Sequence, residues 1–433
     1  MPNQPPAHAG STFLLAALAL SAVACASDDE SDGSASTTLP AGCNALIAPS
    51  DNDQQALQGA LIDAETGDTI CVQAGTYTFD KIVTLEGTSG ITIKGIGASR
   101  DDAVLDFKNQ TSGDDALTVQ ADHFTIENLT IKDPPGDGVK VTNSNFPTFR
   151  NVRAYYSTGA VATNGAYALY PAECTNVLIE DCEVEGSSDA AIYLGQSTTG
   201  VVRRNKAHDC VIGIEAENSE DVEIYDNEAW HNTTGFLIVN LPDLPKKGIR
   251  RINVHDNFTH ENDHENFGAD FAAGLPPGAG VTIMAADNVE LWNNTIENNS
   301  GTGILIASWP VFAAVGGLST SDPDYDQYTT AVYIHDNTFS GNGQNPHGGL
   351  EIIKGAGQPL EDIVWDGDVD PNADPATADQ RRICIQNNGS ATFRDFQFSA
   401  VPSGIGDLTV QSTDLVPHDC SYPALPAITL PAQ

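Results

Sequence analysis

Residues Val177–Asn227 read VLIEDCEVEGSSDAAIYLGQSTTGVVRRNKAHDCVIGIEAENSEDVEIYDN. One strand-turn unit runs through them three times, closing as IEDC at Cys182, VRRN at Asn205 and IYDN at Asn227, so the period is 205 − 182 = 23 and 227 − 205 = 22 residues. A period of that length is one coil of a solenoid, in which each coil buries its apolar side only against its neighbours. Inside the unit, Val222 and Ile224 alternate with Glu223 and Tyr225, which sends one row inward and the other to solvent.

Outward from this stretch the unit recurs as TIKG at Gly95, TIEN at Asn128, TFRN at Asn151, VHDN at Asn257, LWNN at Asn294 and IHDN at Asn337. The chain is therefore expected to be all-β, a parallel β-helix of about ten coils around a narrow apolar column. Asn suits a recurring corner because it tolerates left-handed backbone and its amide can bond the next rung. The longer intervals, from Asn151 to Cys182 and beyond Asn227, predict loops inserted at one corner, where solenoids place binding. The 39 glycines and two methionines agree with many tight turns and a thin core. Gln54 to Ala64 has helical spacing, with Leu57, Ala60, Leu61 and Ala64 on one face. It is expected to be a short helix capping the N-terminal end of the column.

Phe13 to Ala24 is apolar, too short for a stable membrane anchor, and ends in SAVAC at Cys25. It resembles a bacterial lipoprotein signal, which implies lipidation at Cys25 and a polar tether behind it. An ordinary secretory signal is the alternative, and either exports the chain. Of the other seven cysteines, Cys43 with Cys71 and Cys384 with Cys420 could staple the two ends, while Cys174, Cys182 and Cys210 are expected to be packing or a bridge.

The chain has 59 acidic and 19 basic residues, a net charge of −40. A field of that sign repels nucleic acid and anionic lipid, so neither is an expected partner. Seven of the basic residues, from Arg203 to Arg251, fall on three neighbouring coils; they make either a positive patch or ordinary pairs with acids.

The second strand of each coil carries the candidate site. GDGVKV, AYALYP, DAAIYLGQ, VIGIEAEN and TTGFLIVN align on the inward residues Val139, Leu169, Ile192, Ile214 and Phe236. Their outward neighbours stack as Lys140, Tyr170, Tyr193, Glu215 and Leu237, about 4.8 Å apart. A step of three residues gives a second row, Asn143, Glu173, Gln196, Asn218 and Asn240. Aromatic faces stack on pyranose rings while amides and carboxylates take hydroxyls, so these rows are expected to bind a sugar chain. If the site is catalytic, Lys140, Tyr193 and Glu215 are, in some order, the candidates for neutraliser, acid and base in proton abstraction beside a carboxylate. Hydrolysis would instead use Glu173 with Glu215. An ordinary strand surface is the competing account of both rows.

Two motifs invite metal chemistry. HENDH at His260–His264 matches HExxH, but that chemistry needs a helix, and this segment is rich in Asn and Asp. The loop from Trp365 to Asp374 could hold calcium through Asp366, Asp368 and Asp370, although Pro371 interrupts it. No cofactor is required by the motifs, no metal ligand is assigned, and calcium is the one ion left open.

NGAYALYP at Asn164–Pro171, IEDC, SSDAAIYLGQS ending at Ser197, GIEAENS at Gly213–Ser219 and LPDLPKKG at Leu241–Gly248 resemble a family of exported bacterial right-handed parallel β-helix repeat proteins, over about Gly95 to Ser308. The resemblance implies a right-handed helix and an exported compartment. More distantly the repeats resemble those of mannuronan epimerases, polysaccharide lyases and periplasmic carbohydrate-binding β-helix proteins. The chain has neither the DPHD motif of the epimerases nor the NTD, DD, GHG, RIK series of the polygalacturonases.

The expected organisation is a signal peptide at 1–24, lipidated Cys25 with a tether to 42, and an N-terminal cap and first coil at 43–90. The repeats then fill 91–355, with a C-terminal loop and cap at 356–433. The expected function is an envelope lipoprotein, on the periplasmic or surface side of the outer membrane, that binds a polysaccharide. If it is an enzyme, it is a lyase, epimerase or glycoside hydrolase. The alternative is a non-catalytic scaffold whose partner is another envelope protein. A polysaccharide site predicts that both rows line an open groove; a scaffold predicts that they are covered or flat.

Overall fold

A computed structural model describes residues 39–316, 322–398 and 408–431; the signal segment, Cys25 and most of the tether lie outside the described residues. Period-two alternation and the repeat build three stacked sheets. We call them sheet A (12 strands, Ala45–Ile47 to Ile383–Gln386), sheet B (10 strands, Gly75–Thr78 to Thr338–Ser340) and sheet C (11 strands, Lys81–Glu86 to Phe393–Asp395). Each coil visits A, B and C in turn, as in Thr175–Glu180, Glu183–Glu185 and Ala190–Gly195, and meets the next coil in parallel register. This is the right-handed parallel β-helix expected from the repeat.

The inward rows form one continuous apolar column, including Val139, Leu169, Ile192, Ile214 and Phe236. The expected helix spans Asp53–Asp63, with Leu57 and Leu61 buried on the column. Its glutamines complete the open edge of sheet C. Gln58 accepts from the Thr84 N–H at 2.9 Å and donates to its carbonyl at 2.9 Å, while Gln54 accepts from the N–H of Lys81 at 3.2 Å. A helix thus satisfies edge groups that would otherwise invite another strand. At the far end the stack continues beyond residue 355, through Ile363–Trp365 and Phe393–Asp395 on sheet C and Ile383–Gln386 on sheet A.

The Asn corner divides its two tasks between adjacent residues. Asn128 and Asn151 are themselves left-handed, whereas in later coils the left-handed residue is the one before the unit ending, such as Asp181, Asp226 and Asp256. Sheet A pairs Arg150 with Glu180, so Asn151 aligns with Asp181 and not with Cys182. The interior ladder therefore starts at Cys182 and runs through Asn205, Asn227, Asn257, Asn294 and Asn337 to Asn388, each backbone N–H donating to the next amide oxygen at 2.9–3.0 Å. A second ladder, Cys210, Asn232, Asn262, Asn299 and Asn342, lines the corner between sheets B and C. Each member stands five residues after one of the first ladder (205 and 210, 227 and 232, 257 and 262).

Disulfides join Cys43 to Cys71 and Cys384 to Cys420. Cys174, Cys182 and Cys210 are free and buried; burial pushes each thiol up to about 12, so they pack and do not react. The HENDH segment is not helical: Glu261 is left-handed and Asn262 is a ladder residue. His260 stacks on Phe258 at 4.0 Å. Six of the seven basic residues pair with acids, Arg203 and Arg204 with Glu180, Lys206 with Glu228, Lys247 with Asp322, and Arg250 and Arg251 with Glu220, while Lys246 donates to the Ser197 carbonyl and the Thr198 hydroxyl. They form no positive patch.

Candidate functional site

Sheet C reproduces the alignment of the first row. Lys140 pairs with Tyr170, Leu169 with Ile192, Tyr193 with Glu215 and Glu215 with Leu237. The row is not the open groove expected of a polysaccharide site; from Tyr193 to Leu237 it is covered, as a scaffold predicts, and only its Lys140–Tyr170 end is reachable from solvent. Lys140 and Tyr170 are half-buried, but Tyr193, Glu215 and Leu237 are buried. Tyr193 and Leu237 lie in an apolar cluster with Phe267, Phe271 and Leu275 from the insertion after His260, and with Trp309 and Phe312. The inserted loops roof the site instead of flanking it.

The second row lies elsewhere. Asn143, Glu173, Gln196 and Asn218 are left-handed residues of the corner that ends each sheet C strand. Asn143 and Glu173 are exposed. Asn218 donates to the carbonyls of Leu241 and Lys246 at 2.9 Å, and Asn240 to that of Asp326 at 2.9 Å, holding loops in place. An odd step of three leaves the face of a strand, whereas a step of two stays on it. The step of two from Glu215 reaches Glu217.

Glu217 organises what the site contains. Its Oε1 accepts the Tyr193 hydroxyl at 2.6 Å, and Asp189 accepts that of Tyr167 at 3.1 Å. Tyr170 and Tyr193 stack at 4.6 Å, and Tyr167 lies 4.7 Å and 4.9 Å from them, so three rings make a shelf. Lys140, Tyr167, Tyr170 and Asp189 form the half-buried mouth; Tyr193, Glu215 and Glu217 form the buried floor. Glu215 Oε2 is buried with no hydrogen-bond partner. An orphaned buried oxygen of this kind marks a place for a water or a ligand group.

Burial is the main cause of the electrostatics. It pushes Glu217 and Asp189 each up to about 7, and Glu215, which also faces the charges of Glu217 and Asp189, well above the carboxylate range. Tyr193 is likewise raised by burial. At neutral pH the cluster therefore holds protons that carboxylic acids in water release.

The proposed catalytic trio is not assembled. Lys140 stands three rungs from Glu215, about 14 Å at 4.8 Å per rung. Its ammonium bonds Asp137 at 2.8 Å and Asp115 at 3.4 Å, and lies 5.1 Å from the Tyr170 ring centre. Burial opposes its charge, but these acids outweigh it and raise its pKa, so it is a fixed cation and not a base. Tyr193 serves Glu217, not Glu215, and Glu173, exposed at the corner, does not join Glu215. Glu217, Asp189 and Tyr167 were missed, although Glu217 is one alternation beyond Glu215 and Tyr167 is inside AYALYP.

The seat of Tyr193 is Gly195. A Cβ there would stand 1.9 Å from the Tyr193 hydroxyl and 2.1 Å from its ring carbons, so the phenol lies along the strand only because residue 195 has no side chain. Gly195→Ala is expected to swing the ring away, release Glu217 and cost about 3 kcal/mol. Urea unfolding of the variant checks this; an unchanged midpoint would contradict it.

Among the described residues, Glu183, Glu185 and His208 on sheet B are the group that could converge on a metal. The donors do not fit one. Arg100 already binds Glu183, and Arg153 lies 3.5 Å from Glu185. Burial opposes the imidazolium of His208, but Asp209 and Glu183 outweigh it and push the ring up to about 9. A protonated imidazole donates and does not ligate. Asp366 and Asp368, which with Asp370 could hold calcium but read rather as part of a solvated loop, are buried and accept from the Ser308 hydroxyl at 2.6 Å and 3.3 Å.

The family model described as the right handed beta helix region matches residues 81–240 and 160–313, together more than half of the chain. Among solved structures, the A-module of the mannuronan C-5 epimerase AlgE4 of Azotobacter vinelandii is 16% identical, with 80% of this chain and 93% of that chain covered and a TM-score of 0.51. The exopolygalacturonase of Thermotoga maritima is 10% identical, with 74% and 82% covered and a TM-score of 0.48. The catalytic unit of the GH87 alpha-1,3-glucanase of Streptomyces thermodiastaticus strain HF3-3 is 14% identical, with 77% and 52% covered and a TM-score of 0.46. At these identities the likeness is one of fold.

Proposed function

The chain belongs to the right-handed β-helix family, and from that premise we propose that sheet C binds a polysaccharide at the mouth formed by Lys140, Tyr167, Tyr170 and Asp189. The observation that carries this reading is the tyrosine shelf beside half-buried Asp189 and over buried Glu215 and Glu217, carboxyls whose proton affinity burial raises. The faces of Tyr170 are taken by Lys140 and Tyr193, so a pyranose ring packs against the exposed edges of Tyr167 and Tyr170, and the carboxyls and Lys140 take its polar groups. If the bound sugar is processed, Glu217 or Asp189 is the group suited to deliver a proton, since an acid titrating near 7 still holds one at working pH. The fold it shares with a mannuronan epimerase module supports a sugar polymer as ligand.

The two disulfides support an exported chain, which we place in the cell envelope, tethered through Cys25. No helix among the described residues is long and apolar enough to cross a membrane. Calcium enters as a variable of the assay. A glycan array on the purified chain, with and without calcium, tests the proposal. Wild type is expected to bind at least one acidic or neutral polysaccharide, and Tyr170→Ala to weaken that binding at least tenfold. An array with no binder in either condition, or equal binding by the variant, would sink it.

A further inference from the structure

The outer face of sheet A has a second order that the repeat alone does not require. One outward column passes through Glu223, Asn253, Glu290, Tyr333 and Cys384 on successive rungs. Beside it Tyr225, His255, Trp292 and His335 stack, with ring centres 5.1, 4.5 and 6.4 Å apart and planes within 13°. The pattern repeats every two rungs: Glu223 bonds Nε2 of His255 on the next rung at 3.1 Å, and Glu290 bonds Nε2 of His335 at 3.1 Å.

Ser421–Pro431 runs across this face as neither helix nor strand. Cys420, tied to Cys384, fixes its start. The N–H of Leu425 donates to Glu290 Oε2 at 2.6 Å and that of Ile428 to Glu223 Oε2 at 3.1 Å. Tyr422, Leu425 and Ile428 are half-buried, while Pro423, Ala424, Pro426 and Ala427 between them are exposed. From Tyr422 to Ile428 every third residue faces the sheet; Leu430, also half-buried, departs from that period. Three residues of polyproline II advance about 9.3 Å, and two rungs of a parallel sheet advance about 9.6 Å. The two periods are commensurate, so a three-fold peptide meets the same carboxylate-and-ring pattern at each turn. One step further, residue 431 is a proline with no N–H, and the column two rungs before Glu223 holds Leu178, which has no side-chain acceptor. Tail and column run out of hydrogen-bonding groups together.

We propose that the outer face of sheet A is a peptide-binding groove for a segment in the polyproline II conformation. The C-terminal segment of this chain is its occupant in cis, a separable ligand and not a coil of the β-helix. Recognition uses backbone N–H groups at i and i+3 on Glu290 and Glu223, with apolar side chains at the same positions against the histidine and tryptophan stack. This is the observation that favours a partner-binding role beside the sugar site, and it does not depend on that site.

The test uses the full chain. Leu425→Pro with Ile428→Pro keeps the polyproline backbone but removes both N–H donors, and a control, Leu425→Ala, keeps the donor. The double variant is expected to lose its tail to limited proteolysis at least tenfold faster than wild type, with the circular dichroism of the β-helix unchanged. A labelled synthetic peptide of residues 421–431 is expected to bind the double variant one to one, at least tenfold more tightly than it binds wild type, whose groove is filled. A tail as protected as in wild type, loss of the β-sheet signal, or a free peptide that does not bind the variant would each overturn the proposal.

Discussion

Glu217→Gln is expected to be more stable than wild type at pH 8 by on the order of 3 kcal/mol and indistinguishable from it at pH 4.5. Burial raises the Glu217 carboxyl to about 7 in the folded chain, whereas in the unfolded chain it titrates near 4.3. Between those values the folded state holds a proton that the unfolded state has released. The stabilisation is therefore complete below about pH 4 and is lost as pH rises through 7. Glutamine imitates the protonated acid at every pH, still accepts the Tyr193 hydroxyl, and removes the charge that raises Glu215. Urea midpoints at the two pH values decide the matter; an equal shift at both would mean that Glu217 acts by packing alone. If the variant also loses sugar binding or turnover, the buried acid is retained for function at a cost in stability, as is usual for active sites.

The second large effect is expected in the ladder. Asn257→Leu should cost on the order of 5 kcal/mol, a large part of the stability of an ordinary domain. Asn257 Oδ1 accepts from the N–H and the Nδ2 of Asn227, each at 3.0 Å, and its own Nδ2 donates to the Ile224 carbonyl at 2.9 Å and to Asn294 at 3.0 Å. Leucine fills the volume but orphans donors and acceptors that are buried on both adjoining rungs. Because solenoid coils interact only with neighbours, the unfolding transition should split, the coils on the two sides of residue 257 melting apart. Cys182→Ala is the control. Cys182 begins the ladder and its N–H still reaches Asn205, so its loss should be about 1 kcal/mol. Equal losses in the two variants would show that the ladder amides contribute no more than packing.

How much of this was legible in the chain follows from range. The coil period, the inward row and the rung pairing of Lys140, Tyr170, Tyr193 and Glu215 are matters of residue spacing along one strand and its repeat, and the sheet register reproduces them. The capping helix was legible for the same reason, its apolar face being local. The second Asn ladder is equally periodic, five residues behind the first, but lies outside the strand-turn units that mark the repeat. The off-by-one at Asn128 and Asn151 has a different cause. Asn serves both left-handed backbone and amide bonding, and only the backbone angles tell which task a given Asn performs.

The sequence by itself determined the solenoid, its coil period and the face that carries the tyrosines, because a periodic chain repeats the same short-range choice at every rung. Tertiary structure alone decided that Glu217 and Asp189 meet those tyrosines, that loops roof the floor of the site, and that the last eleven described residues lie on sheet A. Those contacts join residues 24, 22 and up to 205 positions apart. The first two join neighbouring rungs at the coil period and turn on side-chain orientation and burial, while the loop and tail contacts depend on how insertions and a tail fold back over a surface, for which no local pattern in the chain carries a period.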